Sequence, residues 1–166
     1  MARLVLIGLP GVGKSAVARA LANAWGCEAI DTDSLVALAV GEATSDYLRR
    51  VGEPSFRQRE VEVLREAMTH DAVIATGGGI VTTPEAREVL TNAVTVWLDV
   101  DDDTLAKRVK NGDRPLLGSS PATALLRLRK ERSDWYGEVA RVRIDASGDV
   151  TQVAERVRAS LAGEQS

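Results

Sequence analysis

One stretch near the N-terminus constrains this chain more than any other. Gly8-Leu9-Pro10-Gly11-Val12-Gly13-Lys14-Ser15 satisfies the pattern G-x-x-x-x-G-K-S/T in full. The short apolar run from Arg3 to Gly8 predicts a buried strand before it. Ala16–Trp25 carries apolar residues at helical spacing after it, and Gly26 closes that helix. A glycine-rich loop between a strand and a helix is the context in which this pattern binds phosphate. Backbone N–H groups from Gly11, Val12, Gly13, Lys14, Ser15 and Ala16 can wrap a polyphosphate, aided by the positive end of the helix dipole. Lys14 would reach the β- and γ-phosphates, and the Ser15 hydroxyl would ligate Mg²⁺ directly.

The rest of the chain alternates strand and helix signals. Strands are predicted at Glu28–Ile30, Ala72–Ala75, Val94–Val100 and Arg141–Asp145. Helices are predicted at Ala43–Val51, Ser55–Thr69, Pro84–Leu90, Thr104–Val109, Ala122–Trp135 and Val150–Leu161, with a helical apolar run at Leu35–Val40. This alternation implies an α/β fold with a mainly parallel sheet covered on both faces. Ligands on such sheets sit at the carboxyl ends of the strands. At 166 residues, 45% hydrophobic and 27% charged, the chain reads as one soluble domain, 1–166. It has no run long enough to cross a membrane, and its opening apolar stretch is too short for a signal peptide. A net charge of −3 gives no field to attract nucleic acid or an anionic membrane. The single cysteine, Cys27, excludes an internal disulfide and points to a reducing, cytoplasmic setting. No sustained exposed apolar stripe argues for oligomerisation, so a monomer is expected.

Several residues after the first motif carry possible chemistry. Asp31 and Asp33 follow the second strand: one can orient the Mg²⁺ shell through water and the other accept a proton from an attacking hydroxyl, or either can simply cap the next helix. Arg57 and Glu60 share a helix face, as a guanidinium held ready for a carboxylate or as an ordinary surface ion pair. Gly77-Gly78-Gly79 follows a buried strand and offers either bare N–H groups to a ligand or a tight turn. Arg114 lies in a Gly/Pro/Ser-rich loop, 111–121, as a lid charge for the phosphates or a solvated loop charge. Arg132 stands on a basic helix before Trp135 and Tyr136, where a surface role is the simplest reading from local evidence.

Taken in order, GLPGVGKS, DTD, FRQRE, TGGG, RPLL and RSDWYGEVA span Gly8 to Ala140 and resemble the shikimate kinase family, within the nucleoside-monophosphate-kinase-like P-loop group. That resemblance implies a three-layer α/β/α P-loop fold with a five-stranded parallel sheet of order 2-3-1-4-5, a lid at about 110–121 and a substrate-binding helical region at about 33–60. It implies an ATP-dependent kinase that moves the γ-phosphoryl of ATP to the 3-hydroxyl of shikimate, on the route to chorismate and aromatic amino acids. ATP is then co-substrate and Mg²⁺ the cofactor. Asp33 would hold the shikimate hydroxyls and act as base, and Arg57 and Arg132 would bind the carboxylate. Glu60 would orient Arg57, and the Gly77–Gly79 backbone would line the substrate. Asp31 would serve the Mg²⁺ shell beside Ser15, with Lys14 and Arg114 on the phosphates. The basic residue against adenine is open between Arg108 and Lys110, and the loop Asp145–Asp149, expected near adenine, has no basic residue of its own.

Two other readings compete. Another small-molecule kinase such as a gluconate kinase would share the phosphate loop without needing Arg57, Glu60, TGGG and Arg132. A non-catalytic binding module would be expected to lose Lys14, Asp33 or the arginines, and all are present. A guanine-nucleotide switch is disfavoured because no N-K-x-D run occurs. His70, the only histidine, lacks metal partners and reads as a loop residue. Cys27, Trp25 and Trp97 read as core, and the acidic run Asp99–Asp103 as a solvated helix start.

Overall fold

Strand β1 (Leu4–Ile7) has no solvent on either face, as its unbroken apolar run requires of a central parallel strand. In the computed structural model, which describes residues 1–110 and 120–163, it pairs with β3 (Ala72–Ala75) on one side and β4 (Thr95–Asp99) on the other. β2 (Glu28–Asp31) joins β3 and β5 (Val142–Asp145) joins β4, so the sheet is wholly parallel in the order β2-β3-β1-β4-β5. The 2-3-1-4-5 order implied by the resemblance is the order observed.

Each crossover returns through helix. α1 (Lys14–Trp25), α2 (Thr32–Val40), α3 (Thr44–Val51), α4 (Glu53–Ala67), α5 (Pro84–Thr91), α6 (Asp102–Lys110), α7 (Pro121–Val139) and α8 (Val150–Gly163) follow in chain order. Their ends obey local chemistry. Pro54, Pro84 and Pro121 sit in first turns, where a missing N–H costs nothing. α1 closes on Gly26 in the left-handed region, whose N–H returns to the Ala22 carbonyl. A 3₁₀ turn without a sequence signal, Ile80–Thr82, follows the three glycines.

Apolar packing forms two bodies. The larger fills both faces of the sheet, from Leu4 to Val157. The smaller, Val36, Tyr47, Phe56 and Val63, lies among α2, α3 and α4, with the Tyr47 and Phe56 rings 6.1 Å apart. Trp97 is buried as expected, but Trp25 and Cys27 are only partly so, because both lie at the solvent end of α1.

The acidic run departs further from expectation. Asp101 and Asp103 are exposed at the start of α6, whereas Asp99 ends β4 and is buried. Its carboxylate accepts from Arg129 Nη1 at 2.8 Å and from Arg143. Arg129 also donates to Asp102 at 2.5 Å and to the Val100 carbonyl at 2.7 Å, pinning α7 to the end of β4. The partner comes from a distant helix, which a local charge pattern cannot show. Removing one member of a buried pair strands the other charge. Because Arg129 keeps Asp102 and Arg143 is largely exposed, Asp99→Ala is expected to lower unfolding free energy by about 1.5 kcal/mol, measured by urea denaturation. A loss no larger than that of an exposed carboxylate would show that Arg129 finds water instead.

Candidate active site

Strand order builds the site. Because β2, β3 and β1 are neighbours, the loops at their carboxyl ends converge: Asp31–Asp33 after β2, Thr76–Gly79 after β3 and Gly8–Lys14 after β1.

On the β1 side, Gly13 adopts φ +104° and leads into α1 with no side-chain cap and no acidic residue in the first turn. The N–H groups of that turn are thus left to an anion, and the helix dipole is uncompensated by the chain itself. Lys14 is buried, its Nζ donating to the carbonyls of Gly8 at 2.7 Å and Leu9 at 3.0 Å. Gly11, at φ +85°, has no room for a side chain: a Cβ would stand 2.5 Å from Val109 of α6. α6 is also tied to the loop by Arg108, which donates to the Val12 carbonyl at 3.0 Å. Its other nitrogen reaches Ala146 at 2.8 Å and Gly148 at 3.3 Å. Arg156 of α8 holds the same β5 loop through Asp145 and Ser147. That loop has no basic residue, yet two guanidiniums fasten its carbonyls. Lys110 is exposed at the end of α6.

Asp31 does two things at once. One carboxylate oxygen caps α2, accepting from the N–H of Asp33 at 3.0 Å and Ser34 at 3.2 Å. The other accepts the Ser15 hydroxyl. The capping role and the place beside Ser15 are therefore not alternatives. Asp33, in the first turn of α2, is exposed and faces Gly77.

The three glycines explain themselves by what lies against them. A Cβ on Gly77 would meet Asp33 Oδ1 at 2.7 Å and Glu60 Oε2 at 3.1 Å. On Gly78 it would meet Pro10 Cδ at 2.8 Å, and on Gly79 it would strike the Arg57 guanidinium. The turn is thus in close contact with both carboxylates, the arginine and the phosphate loop. Arg57 Nη1 donates to Glu60 at 2.5 Å, and Glu53 stands 3.5 Å from its Nε without a hydrogen bond. The Glu60 side chain is only 3% exposed, so this is no ordinary surface pair. Arg132 is also buried, and among the described residues its Nε has no hydrogen-bond partner. Its solvated reading fails because α7 turns this position inward. Arg114 and nearly all of the expected lid lie outside the described residues.

Three contributors carried no role in the sequence reading. Pro10 seats Gly78, Thr32 Oγ1 accepts from the Gly77 N–H at 3.3 Å, and the Tyr136 hydroxyl donates to the Gly78 carbonyl at 2.5 Å. Only Tyr136 left a sequence signal, one helical turn after Arg132.

Residues 10–162 match the shikimate kinase family profile. The chain belongs to the shikimate kinase family. A shikimate kinase of Synechococcus sp. strain RCC307 is 39% identical over 96% of this chain and 84% of its own length. A solved shikimate kinase from Acinetobacter baumannii, in complex with shikimate, superposes with a TM-score of 0.91 and 31% identity, covering 97% of this chain and 93% of that one. A gluconokinase from Sinorhizobium meliloti shares the fold alone, at a TM-score of 0.67 and 20% identity over 97% of this chain and 91% of its own. Members of the shikimate kinase family are ATP-dependent kinases, with ATP as co-substrate. Among the described residues, no helix is long and apolar enough to cross a membrane.

Burial pushes the Glu60 carboxyl above its ordinary 4.5, with Arg57 pulling the other way. The folded chain therefore holds that proton more tightly than the unfolded one. The Glu60 contribution to stability is fullest below pH 4.5 and is lost as pH rises through the raised value. The stability of the native chain minus that of Glu60→Gln is expected to fall as pH rises above the ordinary carboxyl value of 4.5, followed by urea midpoints across a pH series. A difference that grows with pH would mean that the Arg57 pair outweighs burial.

Proposed function

We propose that this chain transfers the γ-phosphoryl of ATP to the 3-hydroxyl of shikimate, yielding shikimate 3-phosphate and ADP, as a monomeric, cytosolic enzyme of aromatic amino-acid biosynthesis. The observation that carries this reading is the acceptor wall: Asp33 and the Arg57–Glu60 pair meet at the Gly77–Gly79 turn, which rests on Pro10 of the phosphate loop, with buried Arg132 near Glu60 and Tyr136. An acceptor held there lies beside the phosphate donor. Shikimate is a small polyol acid, and this wall answers both of its features.

The geometry supports the following roles. Arg57 and Arg132 bind the carboxylate, each offering a planar guanidinium whose N–H fork matches a carboxylate. Glu60 holds the Arg57 guanidinium in one orientation and offsets its charge. Backbone groups of Gly77, Gly78 and Gly79 approach the ring closely because no side chain intervenes. Asp33 accepts hydrogen bonds from the hydroxyls and takes the proton of the attacking one. Phosphoryl transfer depends chiefly on positioning and charge stabilisation, so an ordinary carboxylate suffices as base. Lys14 and the first-turn amides of α1 take the phosphate charge. Arg108, placed between the phosphate loop and the β5 loop, is better sited than Lys110 to lie against the base. Arg114 would approach the phosphates from the lid, about 110–121, and α2–α4 would form the acceptor region.

The donor set also suits Mg²⁺. A hydroxyl and a carboxylate in contact, Ser15 and Asp31, are hard oxygen ligands. When bound there, Mg²⁺ supplies neutralisation of phosphate charge. Ser15 would contact it directly, and Asp31 would act through water while keeping its cap on α2.

A coupled ADP-release assay tests the acceptor. Release with ATP and Mg²⁺ is expected to require shikimate and to be absent with gluconate, nucleoside monophosphates or no acceptor. Turnover with gluconate instead would overturn the acceptor assignment, and binding of ATP with no turnover on any acceptor would favour a non-catalytic module. Two variants divide the roles. Asp33→Asn is expected to cut kcat by about 100-fold or more while ATP still binds. Arg57→Ala is expected to raise the shikimate KM at least about 30-fold with little change in that for ATP. Near-normal turnover in the first would remove Asp33 from the mechanism, and equal weakening of both substrates in the second would indicate damage to the fold.

A further inference from the structure

Tyr136 is fully buried, on the face of α7 that turns toward the acceptor wall. Its ring packs on Trp97 of β4, with centroids 5.6 Å apart, which fixes the direction of the phenol. The hydroxyl crosses to the glycine turn and donates to the Gly78 carbonyl at 2.5 Å. Gly78 is therefore held from two sides, by Pro10 packed against its Cα and by Tyr136 on its oxygen. Arg132 lies one helical turn earlier on the same face, so the bond that grips Gly78 also sets how far the Arg132 guanidinium stands from the turn.

We infer that Tyr136 is a positioning residue for the acceptor: its hydroxyl locks the Gly78 peptide to α7 and thereby fixes the spacing between Arg132 and the Gly77–Gly79 backbone. This rests on the acceptor reading above. Nothing places Tyr136 against the reacting atoms, so its effect passes through Gly78 and Arg132. The donor does not switch off in use: burial pushes the phenol up to about 12, with the neighbouring Arg132 guanidinium acting in the opposite direction. α7 is held elsewhere by Arg129 on Asp99, Asp102 and Val100 and by Arg87, which lies 4.9 Å from the Trp135 ring centroid and donates to the Val81 carbonyl at 2.7 Å. Losing the hydroxyl therefore leaves the helix docked but free to shift at this one contact.

Tyr136→Phe removes the oxygen and keeps the ring on Trp97. The shikimate KM is expected to rise about five-fold or more, the scale of one well-formed hydrogen bond, while the ATP KM stays close to that of the unaltered chain and Tm falls by only a few degrees. Trp97→Leu, which loosens the ring packing but leaves the hydroxyl, serves as the structural comparison and is expected to lower Tm first. A shikimate KM unchanged in Tyr136→Phe would overturn the inference. So would a fall in Tm that weakens both substrates alike, since that is what a packing role alone produces. An unaltered chain inactive toward shikimate would instead overturn the acceptor reading, and this inference with it; activity in the unaltered chain separates the two failures.

Discussion

A Cβ atom anywhere from Gly77 to Gly79 would displace Asp33, Pro10 or the Arg57 guanidinium, and the acceptor side of the molecule is arranged around that closeness. Each of the three positions presses on a different partner: two carboxylates, a proline and a guanidinium. Those partners come from α2, the phosphate loop and α4, elements that the strand order brings to one edge of the sheet. Three glycines in succession lose backbone entropy and offer no packing of their own. Their return is contact at backbone distance with groups that would otherwise be held off by a side chain. The phosphate loop and the acceptor wall thus share a boundary only one residue thick, at Pro10 and Gly78.

The two helix starts at the site show opposite electrostatic solutions. α2 is satisfied from within, by Asp31 on its first-turn amides. α1 carries no such cap and no acid in its first turn. An anion is therefore drawn to α1 and not to α2, although both begin at the same sheet edge. Asp31 stands between them, with an oxygen for each side. The pairing of Arg57 with Glu60 follows a related logic: a buried acid beside a guanidinium costs desolvation, but it fixes the direction of the charge that faces a ligand.

Much of this was legible in the chain itself. The motif from Gly8 to Ser15 defines its loop because the residue types, the preceding strand and the following helix all agree. Strand and helix positions follow from period and punctuation, since Pro and Gly stand at their ends. Sheet order entered through resemblance, because alternation implies a parallel sheet but not which strands are neighbours. What sequence could not show depends on contact between distant segments. Asp99 sits in an acidic run and looks solvated, yet Arg129 and Arg143 bury it. Arg132 looks like one of several basic residues on α7 until the helix is docked. Thr32 and Pro10 have no spacing rule that would single them out. Asp31 read from sequence as either a helix cap or a chemical group, and the structure shows it capping α2 with one oxygen while the other accepts the Ser15 hydroxyl.

The separate apolar cluster among α2, α3 and α4 has a consequence for how the molecule comes apart. Val36, Tyr47, Phe56 and Val63 hold these helices to one another, while the sheet is enclosed by a far larger body of apolar side chains. Cooperative opening costs least where the fewest apolar contacts are broken. The layer bearing Asp33 and Arg57 is therefore expected to exchange its amide protons before the strands beneath it. Opening of this layer would disturb the acceptor wall while leaving the strands and the phosphate loop in place.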